Sequence, residues 1–159
     1  MKLKAISDSF ALKRSTDEGC YSKTSVSVNQ KIVNSIENGL CLLVGLGVDD
    51  NEDDLKWTVN KVLGLRLFDN WTKSVRDVDG EILSISQFTL QSTLKGTKPD
   101  FHKAMKTEEA RKMYNNFLTS LKTSYFDNRI KDGIFAEMMD VNINNQGPIT
   151  ILIDSRKRK

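Results

Sequence analysis

The sequence holds a single histidine, His102, and only two cysteines, Cys20 and Cys41, in 159 residues. A structural zinc site takes about four Cys or His ligands and a catalytic one about three, so no metal is expected. A Ser-His-Asp or Cys-His mechanism would have to run through His102 alone. Two cysteines make no disulfide framework in a chain of this size, which points to a reducing compartment. No apolar run approaches the ~20 residues of a membrane span. The opening Met1-Lys2-Leu3-Lys4 lacks the apolar centre of a signal peptide. The expectation is a cytoplasmic protein with no metal, no other cofactor and no membrane contact. Internal repeats and low-complexity linkers are also lacking.

Net positive charge is lacking outside one place. The formal charge is +3, from 24 Lys and Arg against 21 Asp and Glu. Four of the cations are Arg156, Lys157, Arg158 and Lys159; without them the body carries 20 against 21. The basic balance therefore describes a C-terminal tail, which more often is solvated than a nucleic-acid site. The chain divides into one domain over 1–155, with a polar loop or insertion at 9–23, and a basic tail at 156–159.

What the sequence does contain is a readable order of elements. Leu3 to Asp8 suggests a first strand. Val26, Val28 and Ile32 suggest a strand or hairpin arm ending at Asn38-Gly39. Leu40 to Val48 alternates cleanly, with Leu40, Leu42, Val44, Leu46 and Val48 on one face. Gly45 and Gly47 lie on the other and permit close approach of another backbone. The acidic run Asp50–Asp54 suits a helix N-terminus, and Leu55, Val59, Val62 and Leu63 predict a helix reaching about Leu67. Glu81 to Leu90 predicts a strand, and 96–100 a loop. Thr107 reads as the N-cap of a helix whose face is Ala110, Met113, Tyr114, Phe117, Leu118 and Leu121. Strands are expected over 134–143 and at Ile149, Ile151 and Ile153, with a tight turn at 144–148 between them. Few βαβ repeats occur, so the fold class is α+β, with a mixed, largely antiparallel sheet and two main helices.

Two segments stand out. In Ser86-Gln87-Phe88-Thr89-Leu90 several hydrogen-bonding groups share a half-buried strand with apolar ones. Such a strand more often has a solvated polar face than it lines a pocket. Asn145-Gln146-Gly147-Pro148-Ile149-Thr150 places Gly-Pro at a strand junction, ordinarily a simple turn. Gly45-Leu46-Gly47 lacks the third glycine of a dinucleotide loop, because Asp50 occupies its position. His102, in Pro99-Asp100-Phe101-His102-Lys103, reads as a surface histidine sooner than a catalytic one.

Together the two segments resemble the D-aminoacyl-tRNA deacylases, also called D-tyrosyl-tRNA deacylases. Supporting segments are Leu63-x-Leu65-Arg66-Leu67-Phe68, Lys95-Gly96-x-Lys98-Pro99-x-Phe101, Phe135-x-x-x-Met139 and Ile153-Asp154-Ser155. The resemblance covers about Leu40 to Ser155. It implies a barrel-like fold of that family and hydrolysis of the ester joining a D-amino acid, or mischarged glycine, to the 3′ end of tRNA. It further implies a homodimer with the active site at the subunit interface. Gly147 and Pro148, joined by a cis bond, would bind the substrate amino group in the partner's pocket and exclude L side chains. Ser86, Gln87, the Phe88 backbone N–H and Thr89 would be the catalytic segment, with Phe101 and Pro99 holding the terminal adenosine. Thr89 has no evident activating base, so the resemblance leaves two routes, a Thr89 nucleophile or assistance from the ribose 2′-OH. The alternative is a non-catalytic nucleic-acid-binding protein on the same dimeric scaffold, using its basic tail.

Overall fold

A computed structural model of the chain describes residues 1–7, 24–145 and 149–158. In chain order the strands and helices are β1 (Lys2–Ser7), β2 (Thr24–Val28), β3 (Lys31–Ile36), β4 (Gly39–Gly45), α1 (Glu52–Gly64), β5 (Arg66–Phe68), β6 (Lys73–Ser74), β7 (Glu81–Ser86), β8 (Thr93–Lys95), β9 (Lys98–Asp100), α2 (Thr107–Ser124), β10 (Ile130–Asp132), β11 (Asp140–Asn142) and β12 (Ile149–Asp154). The main sheet has the order β10-β7-β4-β1-β12, and a second sheet the order β11-β2-β3. Among the described residues only the β10–β7 and β4–β7 pairings are parallel. The fold is α+β with a mixed, largely antiparallel sheet, as expected.

The two-residue period of a strand sends successive side chains to opposite faces, and β4 is apolar on both. Leu40, Leu42 and Val44, with Ile82 of β7, pack against Leu55, Val59, Val62 and Leu63 of α1 and Tyr114, Phe117, Leu118 and Leu121 of α2. Cys41, Leu83 and Ile85 face the other way, onto Val26 and Ile36 of the second sheet. The layers are thus helices, main sheet and small sheet. α1 begins in a capping box: the Asn51 side chain accepts from the Asp53 and Asp54 N–H groups, and Asp54 accepts from the Asn51 N–H at 3.1 Å.

Several boundaries differ from the sequence reading. The hairpin arm is two strands, β2 and β3, joined at Asn29 and Gln30, whose φ values of 49° and 64° make a tight turn. α1 stops at Gly64, because Leu65 turns extended and lets Leu67 and Phe68 enter the core. Thr107 is the first helical residue of α2, and the cap is Lys106, which makes no side-chain cap bond. The loop at 96–100 is the turn and second arm of the β8–β9 hairpin, turned at Gly96 with φ 63°. The strand expected over 134–143 is mostly a loop before β11, and the pairing with β7 is made earlier, by β10.

The polar stretch 9–23 and Lys159 lie outside the described residues. The tail itself is not a free charge cluster. Arg156 Nη2 lies 3.2 Å from Asp54 Oδ2, and Arg158 Nη2 lies 2.7 Å from Asp54 Oδ1. Asp54 is 1% exposed. Burial works to raise its pKa, but the bonds from Arg158, Ser155 and the Asn51 N–H outweigh it and hold the carboxyl below its ordinary value.

Candidate active site

The strand expected to run to Leu90 ends at Ser86. Gln87 leaves the strand, and Phe88–Gln91 form a turn of 3-10 helix. Two features force that bend down onto β4. A Cβ built at Gly45 would lie 2.7 Å from Leu90 Cβ and 2.9 Å from the Gln87 carbonyl oxygen, so only glycine allows the approach. The buried Gln91 donates from Nε2 to the Gly45 carbonyl at 2.8 Å. The first amides of a helical turn have no acceptor within it, and here those belong to Phe88 and Thr89. The Gln87 N–H is used by the Val44 carbonyl and the Leu90 N–H by the Gln87 carbonyl.

The turn stands at a cavity of about 610 Å³ between the ends of β4 and β7, the first turns of α2 and the loop 134–139. Ser86, Gln87 and Phe88 line it, together with Met105, Tyr114 and Phe135. Thr89 is beside the lining, its hydroxyl accepting from Gln87 Nε2 at 2.5 Å. Phe101 meets Phe88 edge to face, with ring centroids 5.1 Å apart, and both rings are exposed. Pro99 pairs with Leu94 in the β8–β9 hairpin, away from the lining. Gly147 and Pro148 fall outside the described residues, and their flanks are joined by a bond from Asn145 Nδ2 to the Ile149 carbonyl at 3.2 Å.

Sequence reasoning missed Met105, Tyr114 and the Phe135–Met139 wall as site residues. Tyr114 carried a signal. It is the only hydroxyl-bearing residue of an otherwise apolar helical stripe, and a buried tyrosine hydroxyl needs a partner. That partner is Ser84 Oγ, 2.9 Å away. Burial pushes the Tyr114 phenol well above its ordinary pKa, with the Ser84 bond opposing, so it stays neutral. His102 is exposed, as read from sequence, and its Nδ1 bonds Asp100. The Lys95 ammonium, the His102 backbone N–H and the His102 ring together hold the Asp100 carboxyl well below the usual carboxylate range. Among the described residues no group of His, Cys, Asp and Glu could hold a metal, and no helix is long and apolar enough to cross a membrane.

The sequence model of the D-Tyr-tRNA(Tyr) deacylase family matches residues 21–154. The chain belongs to that family. A D-aminoacyl-tRNA deacylase of Candida glabrata is 49% identical over 139 residues, spanning 84% of this chain and 93% of its own. The D-aminoacyl-tRNA deacylase of Drosophila melanogaster is 49% identical over 138 residues, 84% and 87% of the two chains. A solved structure described as a c-Myc DNA unwinding element binding protein is 40% identical, with a TM-score of 0.86 over 97% of this chain and 98% of its own. Both segments that carried the deacylase resemblance, 86–90 and 145–150, lie inside the matched range.

Proposed function

We propose that this protein hydrolyses the ester of D-aminoacyl-tRNA, and of glycine mischarged on tRNA, in the cytoplasm. The observation that carries the reading is the segment Ser86–Thr89, where β7 gives way to the turn, at the cavity of about 610 Å³ in a chain matched to the deacylases over 21–154. The aminoacyl group enters the cavity, and the ester carbonyl oxygen faces the N–H of Phe88. Water adds to the carbonyl carbon, and the N–H stabilises the oxyanion as it forms. The bond to the ribose oxygen then breaks, and that oxygen takes up a proton. The exposed Phe88 and Phe101 rings give the terminal base a stacking surface, with Pro99 stiffening the hairpin beneath. Gly147 and Pro148, from a second copy of the chain, supply the wall that admits a D side chain and clashes with an L one.

A binding module without hydrolysis is not favoured. Its affinity would come from the C-terminal cations, and Arg156 and Arg158 are already paired with Asp54. The test is incubation with D-Tyr-tRNA and L-Tyr-tRNA in separate tubes. The D ester should be released at least about 10²-fold faster than its spontaneous hydrolysis, and the L ester at the spontaneous rate. Release of neither above background overturns the reading.

A further inference from the structure

With two arginines of the tail held by Asp54, the positive charge available to a polyanion lies elsewhere. Residues 95–106 contain four lysines, Lys95, Lys98, Lys103 and Lys106, with His102 and a single acid, Asp100. Lys95 and His102 occupy Asp100. Lys98, Lys103 and Lys106 are exposed and make no ion pair among the described residues. Lys73, Lys122 and Lys131, by contrast, pair with Asp69, Asp127 and Glu81.

Their position matters as much as their charge. Ala104, Met105 and Thr107 line the cavity, and Lys103 and Lys106 alternate with them in sequence. The segment is fixed to the end of β4: the Val48 N–H donates to the Lys103 carbonyl at 3.1 Å, and the Met105 N–H to the Leu46 carbonyl at 3.0 Å. One turn into α2, Arg111 lies 4.8 Å over the ring of Phe135, another lining residue. Lys103 and Lys106 are therefore held at the rim on a braced backbone, and Lys98 lies in β9, three residues before the Phe101 ring that meets the lining residue Phe88. The acids nearby are Glu108 and Glu109 in the first turn of α2, and Glu137 in the cavity wall. Glu137 makes the interior a poor place for phosphate and leaves that role to the rim.

We infer that Lys98, Lys103 and Lys106 hold the phosphates of the single-stranded 3′ end of tRNA as it enters the cavity. This rests on the deacylase reading, since that reading makes the ligand an RNA end. Each phosphate contact releases condensed counterions, so binding weakens with salt in proportion to the contacts made. An ester that lacks phosphates should not sense the rim.

The experiment compares D-Tyr-tRNA with the D-tyrosyl ester of adenosine, which has the same reacting group and no phosphate. In the Lys98→Gln/Lys103→Gln/Lys106→Gln variant, kcat/KM for D-Tyr-tRNA relative to that for the adenosine ester should fall by about tenfold or more. The log–log salt slope of tRNA binding should become shallower by about 2, from three single-strand contacts. The Arg156→Gln/Arg158→Gln variant should keep the wild-type slope. An unchanged ratio and slope in the lysine variant, or a slope lost only in the arginine variant, overturns the inference. If wild-type protein cleaves neither ester, the deacylase reading falls, and the slope alone retains or overturns the rim. The variant Lys103→Glu/Lys106→Glu gives a second reading of the same slope, with a larger shift expected.

Discussion

Thr89 shows what a single side chain at this site can and cannot do. Its hydroxyl accepts a hydrogen bond from the Gln87 amide, 2.5 Å away. An amide is no base, and His102 is bound to Asp100 on the exposed hairpin. A nucleophile at Thr89 would need a group to take its proton, and the neighbour it has cannot. Loss of a neutral hydrogen bond is worth about 0.5–1.5 kcal/mol. Thr89→Ala should therefore slow single-turnover release of D-tyrosine by about tenfold or less. A fall to the spontaneous rate would instead mark Thr89 as the nucleophile. Backbone amides at the start of the turn remain after the substitution, which is why the expected effect is small.

At the level of elements, the sequence was most legible where one periodicity ran uninterrupted. The stripe Ala110, Tyr114, Phe117, Leu118 and Leu121 fixed α2, and the alternation from Leu40 fixed β4. It was least legible where a tertiary contact overrides local pattern. Ser86–Leu90 alternates like a strand, yet Gly45 and Gln91 draw Leu90 onto β4 and bend the segment into the turn that makes the site. Ile134–Ile143 is apolar enough for a strand, but β10 had already filled the place beside β7. The tail misled for a similar reason, since nothing in a run of cations announces a buried carboxylate far away in the chain. That junction of α1 and the C-terminal arginines has a pH signature. Asp54 has a folded pKa below its unfolded value, so its stabilisation is present above the ordinary carboxylate pKa of about 3.9 and is lost as pH falls through the folded value. Asp54→Asn should cost about 1–3 kcal/mol at neutral pH. Urea midpoints of the two proteins should converge below about pH 4. A gap that stays constant across that range would show that charge at Asp54 contributes nothing.

At the scale of the molecule, the proposed wall of Gly147 and Pro148 requires a second copy. Leu152 on the edge strand β12 and Met138 at the cavity are exposed at 65% and 89%, apolar surface of the kind that self-association covers. Light scattering should give twice the 18.0 kDa mass of one chain. A monomer that still discriminates D from L esters would place the chiral filter within one chain. The main sheet carries a further consequence. β1 lies between β4 and β12, pairing from Lys2 with Asp154 to Ser7 with Ile149. Of the two neighbours of β1, β4 follows it closely in the chain and β12 comes after all the other described strands. During synthesis the outer edge of β1 stays open until β12 emerges, and an open edge is where another chain can pair. Vectorial synthesis and sheet order are therefore in conflict here, and a nascent chain of this protein is most exposed to mispairing just before β12 emerges.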